Sequence, residues 1–284
     1  MENKGRRWKR IHSIAFTEYV RWLCNPRQIL FVCFLYFANS YVITPLLEHA
    51  TKMGETINVF EPFIAIGNNN GLIFVLPALF LVLISDFPNL DENALLYIHR
   101  CGKQEWLLAQ MVSGLWKIAT YLIGILLGTI ILTNGNCYVG NCWSDVITKY
   151  YLHYPDEQQS YVNKLITGNL YNNFSVYQAL GYTITLLVGY LFLLSMIKIV
   201  CFLFGNAMLG MVLGGGIIAI GCGLTFGDTM AKWIFPAAHA LEWQHCDEVL
   251  NTMSVTMGNS YFYFLFLCLV MVYVANVLLE RYNL

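Results

Sequence analysis

Six predominantly apolar runs alternate with polar stretches along the chain, at 28–47, 67–84, 107–132, 176–197, 206–226 and 261–279. Each supplies close to the ~20 residues that a helix needs to cross about 30 Å of hydrocarbon, and the pattern predicts six transmembrane helices. Pro45 falls near the end of the first run. Trp106 and Trp116 sit near the start of the third, where Lys117 is expected to snorkel towards the interface. The link KIVCFLFGN between the fourth and fifth runs is itself apolar and leaves their boundary open. Ahead of the first run, Trp8, Ile11, Ile14, Ala15, Tyr19 and Trp22 recur at helical spacing against Arg6, Arg7, Lys9, Arg10 and Arg21. This predicts an amphipathic helix over 6–24, lying on an anionic leaflet with its aromatic side chains at headgroup depth. Asn25-Pro26 ends it, because the residue before proline leaves the helical region.

The polar stretch 85–110, SDFPNLDENALLYIHRCGKQEWLLAQ, carries dense helix punctuation. Asn89 with Glu92 three residues later makes a capping-box-like start, and Asp91 and Glu92 suit the positive end of a helix dipole. Leu90, Ala94, Leu95 and Ile98 share a face, and His99 and Arg100 fall in the last turn. Gly102 is placed to take a left-handed cap, with a new helix starting near Lys103. A short capped helix between two spans suits docking onto a partner; the alternative is a merely solvated loop.

Composition supports the membrane reading. The 284 residues are 57% hydrophobic and 12% charged, with mean hydropathy +0.55, whereas soluble domains carry about 25% charged residues. No stretch is left for a soluble domain with its own core, so 1–284 is read as one all-α transmembrane domain. Residues 1–27 do not read as a secretory signal, since Glu18, Arg21 and Arg27 interrupt them. With both termini inside, twelve Lys and Arg lie on the inner side and four (Lys52, Lys149, Lys164, Lys232) on the outer side. That bias predicts a cytoplasmic 85–110 stretch in a multi-pass plasma-membrane protein. Seven of the twelve belong to the N-terminal segment, which therefore carries most of the weight.

Two outer segments hold the candidate chemistry. The longer, 133–173, is polar and tyrosine-rich and contains Cys137 and Cys142 in GNCYVGNC, a spacing that permits a local disulfide. Segment 227–259 is too apolar for a free loop and too short for a span. It predicts a re-entrant or interfacial helical hairpin hinged at Pro236. Within it His239, Glu242, His245 and Cys246 can be drawn as a zinc site, though they form neither HExxH nor a CxxC pair, and the polar face of a helix explains them as well. The other cysteines are expected to be inert thiols. No GxSxG elbow is present, and the spans carry almost no ionisable residues apart from Lys117, which counts against catalysis and against an ion-coupled carrier. No GxxxxGK[ST] phosphate loop is present, so any ATP is bound by another chain. Gly210-x-x-x-Gly214 in the fifth run is a close-packing pattern, for helices of one subunit or for a dimer seam. Asn173-Phe174-Ser175 fits a glycosylation acceptor, a triplet common by chance.

This layout resembles the permease subunits of ABC-2 type ABC exporters: a basic N-terminal helix, six spans, a helix-bearing loop between spans two and three, and an apolar hairpin before span six. The residues carrying the resemblance are Ser85, Asp86, Pro88, Tyr97, Arg100, Gly102, Lys103 and Trp106, similar to a Ser-Asp-x-Pro, Tyr, Arg-x-Gly-Lys-x-x-Trp pattern in small bacterial permeases. The resemblance implies that Leu90 to Arg100, including Leu95, forms a coupling helix docked on a separate ATPase, and that the N-terminal helix touches it too. It implies ATP and Mg on that ATPase and no cofactor on this chain. It also implies a second permease copy or a related permease, membrane lipids around both, and no nucleic acid. The long 133–173 segment departs from the shortest family members. The alternative is a membrane-integral enzyme, or another polytopic protein without an ATPase, using the outer His/Glu/Cys cluster.

Overall fold

The computed structural model describes residues 4–89, 101–133, 135, 137–227, 229–247 and 252–281. The chain is a helical bundle embedded in a membrane. Among the described residues five helices are long and apolar enough to cross, and a bent pair supplies a sixth crossing if it counts as one span. The order is α1 (Lys4–Leu23), α2 (Pro26–Met53), β1 (Ile57–Asn58), α3 (Glu61–Asn68), α4 (Leu72–Leu83), α5 (Lys103–Leu132), β2 (Cys137–Tyr138), α6 (Asp145–His153), α7 (Gly168–Asn173), α8 (Val176–Leu203), α9 (Ala207–Thr225), α10 (Pro236–Ala240) and α11 (Met257–Arg281). β1 and β2 make a two-residue parallel pair, Ile57 beside Cys137.

The bundle is built around α8. Its sequence is apolar on every side, so no single face can be offered to lipid, and 78% of its most apolar window is buried. The corresponding share in α2, α5, α9 and α11 is 22–33%, so these are the staves around it. Ser175 and Gln178 close a capping box at its start. Its other end settles the open boundary: α8 runs to Leu203, Gly205 turns at φ +85°, and the Asn206 side chain accepts from Leu209 N–H to cap α9. Gly210 faces Lys198 and Cys201 of α8, and Gly214 faces Leu81 and Leu194. The Gly210-x-x-x-Gly214 pattern thus packs helices within one chain.

Two spans depart from the sequence pattern. The first runs on to Met53 through a π-helical turn at Asn39–Ile43. That turn lies just before Pro45, which has no N–H to continue the ladder. The second is not one straight helix over 67–84. α3 and α4 meet at 86°, broken at Asn69-Asn70-Gly71. There the Asn69 side chain accepts from the N–H of Gly71 (2.9 Å) and Leu72 (3.3 Å), an Asx cap that restarts the helix in a new direction. Gly67, one residue before the end of α3, must lack a side chain: a Cβ there would run into Thr183 Cγ2 of α8.

α1 spends its apolar face inside the protein. Ile11, Ile14 and Ala15 cluster with Ala109 of α5, and Trp22 Nε1 donates to Leu83 O at 3.0 Å. Arg7 and Arg10 meet Glu105 at 3.4 and 3.2 Å, while Tyr19 meets Thr120 at 2.8 Å. These contacts advance together along both helices, so α1 rides along the first half of α5 in the same direction. A second aromatic set, including Trp8 and Phe16, stays exposed.

Candidate functional site

Residues 90–100, which include Leu90, Leu95, Tyr97 and Arg100, lie outside the described residues. The two feet of the 85–110 stretch are described, and both are bolted to spans. At the first foot, Ser85 and Asp86 follow the end of α4. Arg27, in the first turn of α2, donates to Ser85 Oγ at 2.6 Å and pairs with Asp86. Lys198 of α8, wholly buried, donates from Nζ to Ser85 O at 2.7 Å. Lys117 of α5 places its ammonium 4.0 Å from the centre of the Phe87 ring, a cation–π contact, and Pro88 is buried behind it. Glu18, Arg21, Asp86, Phe87 and Lys117 line a small pocket of about 80 Å³. Lys117 is therefore buried at 2% exposure and does not snorkel outward. The sequence pattern missed this because a single lysine near a span end suits both placements.

At the second foot Gly102 has φ +91° and ψ 154°. This is not the left-handed helical cap expected there, though it is equally closed to a side chain. Lys103 begins α5. Trp106 is fully buried, its ring centre 6.0 Å from that of Phe202 at the end of α8. Trp106, Gln110, Ser113 and Lys117 recur at helical spacing and form a buried polar stripe on α5. Trp106 Nε1, both Gln110 amide atoms and Ser113 Oγ have no hydrogen-bond partner. The polarity of this face was visible as a period in the sequence; its burial was not.

At the other end of the bundle the His/Glu/Cys cluster splits: His239 and His245 stay together at Ser260 and Trp233, while Glu242 turns away. Segment 227–259 does form short helical turns around Pro236, at Met230–Ile234, α10 and Glu242–His245, and Ala237, Ala238, Ala240 and Leu241 are wholly buried. His239 uses Nδ1 on Ser260 Oγ (2.7 Å) and Nε2 on Trp233 O (2.8 Å), with Tyr263 stacked on its ring at 3.9 Å. His245 uses Nδ1 on Val255 O (3.0 Å), and its Nε2 lies 3.3 Å from His239 O and 3.4 Å from the same Ser260 Oγ. Burial pushes the His239 imidazole down to about 4 and His245 down as well. Cys246 is buried and its thiol is pushed up by that burial. Among the described residues no group of three or more His, Cys, Asp or Glu side chains is placed to hold a metal ion. The drawn zinc site does not assemble, because the ring nitrogens are engaged by Ser260 and backbone carbonyls and Glu242 is turned to Asn68 and Thr183.

Glu242 points elsewhere, into a junction of three elements. Its Oε1 accepts from Asn68 Nδ2 at the end of α3 (3.1 Å) and from Thr183 Oγ1 of α8. Its own N–H donates to Asn68 Oδ1 (2.9 Å), and Trp243 Nε1 donates to Asn68 O (3.0 Å). Glu242 Oε2 is buried with no partner. Burial raises the carboxyl to about 8, against the pull of Thr183 and Asn68. This junction locks the break between α3 and α4 to the central helix.

A second buried carboxylate organises the 133–173 segment. Glu61 accepts from Asn58 N–H (2.9 Å), Ser144 N–H (2.6 Å) and Ser144 Oγ (2.8 Å). Asn58 Nδ2 in turn donates to Gly140 O (2.7 Å) and Cys142 O (3.1 Å). Cys137 and Cys142 are free thiols here. Backbone pairing and the Asn58 amide close that loop in place of the disulfide the spacing permits.

The chain matches no protein-family model, no curated protein and no solved structure. Its functional reading therefore rests on its own residues.

Proposed function

We propose that the chain is the transmembrane permease subunit of an ATP-driven ABC-2 type exporter. A separate ATPase chain binds ATP and Mg, docks on the 85–110 stretch, and drives an amphipathic, peptide or lipid-like substrate outward. This chain carries no chemistry of its own in that scheme. It pairs with a second permease, identical or related, and both termini face the cytoplasm of a bacterial cell.

The observation that carries the reading is how the feet of the 85–110 stretch are held. A solvated loop needs no anchoring. Here Ser85, Asp86 and Phe87 are gripped by α2, α8 and α5 through Arg27, Lys198 and Lys117, and Trp106 wedges the return against α8. A push on the stretch reaches three spans, the central helix among them, without slack. The segregation of basic residues toward this end and the missing phosphate loop support the same reading.

Affinity purification of the tagged full-length chain from its native membrane in mild detergent tests it. The expected result is a nucleotide-binding chain in stoichiometric amount and ATP hydrolysis in the eluate. A pure, stable permease chain without either would contradict the proposal.

A further inference from the structure

We infer that the groove between α1 and α5 is a binding site for one anionic phospholipid. Its acyl chain would lie along the aromatic wall and its headgroup against Lys9 and Arg6. The groove is a shallow, open depression of about 410 Å³ lined by Phe16, Tyr19, Trp116, Ala119, Thr120 and Ile123. Its two hydroxyls are spent on each other, since Tyr19 Oη and Thr120 Oγ1 are hydrogen bonded at 2.8 Å. What remains is apolar, and Phe16 and Ile123 are more than half exposed.

Three features select an acyl chain with an anionic head. The first is that α1 has two apolar faces. Ile11, Ile14 and Ala15 are used up against α5, so the exposed set beside them is not needed to dock the helix. The second is the order of chemistry along the groove. Lys9, His12, Phe16 and Tyr19 fall at helical spacing on one stripe. His12 stacks on Trp116 at 5.7 Å and Phe16 meets its edge at 6.5 Å. Cations thus stand at one end, aromatic rings in the middle and Ile123 at the other, the polarity of a single amphiphile. The third is charge. Arg7 and Arg10 turn to Glu105, whereas Lys9, on the stripe, and Arg6, one turn before it on the adjoining side, are exposed. A zwitterionic head would leave that charge unmatched.

The small side chain of Ala119, exposed on α5, leaves the groove open. The test is native mass spectrometry of the full-length chain from nanodiscs of equal phosphatidylglycerol and phosphatidylcholine. The wild type should retain one lipid with a preference of about 30-fold for phosphatidylglycerol, the size expected for two basic side chains at an anionic surface. Ala119→Trp should abolish retention while Ala119→Ser keeps it. The double variant Arg6→Glu, Lys9→Glu, at exposed positions that do not hold α1 in place, should bring the preference to about unity. Excess inorganic phosphate should displace nothing. Equal retention of both lipids by the wild type, retention unchanged in Ala119→Trp or in the double reversal, or displacement by phosphate would each overturn the inference.

Discussion

Raising the pH from about 6.5 to about 8 should lower the melting temperature of the detergent-solubilised chain, and Glu242→Gln should remove most of that slope. The Glu242 carboxyl titrates near 8 in the folded protein because it is enclosed, whereas an unfolded glutamate titrates near 4.3. Between those values the folded state holds a proton that the unfolded state has released. Stability from this group is therefore complete below the unfolded value and is lost as pH rises to the folded one, by about 1.4 kcal/mol per pH unit at most. His239 and His245 tilt the opposite way. Burial lowers both, so their contribution is complete above about 6.5 and is lost as pH falls towards the folded values. Glu242 therefore loads the alkaline side and the two imidazoles the acid side, and above about 7 the buried Glu61 carboxyl, itself raised to about 7, no longer adds to the slope. Gln keeps acceptance from Asn68 and Thr183 and cannot ionise, so the alkaline limb flattens and the acid limb stays. Glu242→Ala removes the acceptor of Thr183 Oγ1 at a buried junction, while Asn68 Nδ2 keeps Ile64 O and Thr183 Oγ1, and should cost about 1–3 kcal/mol near pH 6.5 and less at pH 8. An alkaline slope unchanged in Glu242→Gln would show that the junction does not titrate in this range.

Trp106→Ala should be the most damaging single change near the 85–110 stretch, costing about 3–5 kcal/mol, whereas Trp106→Phe should be close to neutral. The indole is wholly buried against Phe202, and its Nε1 has no partner. Phenylalanine keeps most of the packed ring and removes the unpaired donor, while alanine opens a cavity at the contact of α5 with α8. On the proposed function, Trp106→Ala also loosens the return foot of the stretch. Transport-linked ATP hydrolysis should then fall further than the amount of folded protein. Thermal melts of the two variants, read beside hydrolysis normalised to folded chain, check both parts. A phenylalanine variant as damaged as the alanine one would mean that Nε1 has a partner after all.

The spans were legible because apolar length is a local property and lipid imposes it directly. Pro45, Pro236 and Gly205 marked turns or breaks that the structure carries at or near those positions. The bend between α3 and α4 was written in Asn68-Asn69-Asn70-Gly71, but the run 67–84 absorbed it, since three short polar residues barely dent an apolar stretch. Glu242 and Glu61 could not be read. Their partners, Asn68 and Ser144, lie 174 and 83 residues away, and nothing local distinguishes an enclosed carboxylate from one in a solvated loop. Lys117 and Lys198 posed the same difficulty, because a lysine near a span end either reaches water or turns inward, and the neighbouring helices decide. The His/Glu/Cys cluster was half legible for the complementary reason: the spacing allowed a shared site, and short turns keep His239 and His245 together at Ser260 while directing Glu242 to Asn68 and Thr183.

The most direct test of the central claim is ATP hydrolysis by the complex purified on the tagged chain, compared between wild type and the double variant Arg100→Glu, Lys103→Glu. The variant is expected to insert like wild type but to lose transport-linked hydrolysis, because the stretch no longer fits its ATPase. Hydrolysis at the wild-type rate in a correctly inserted variant would contradict it.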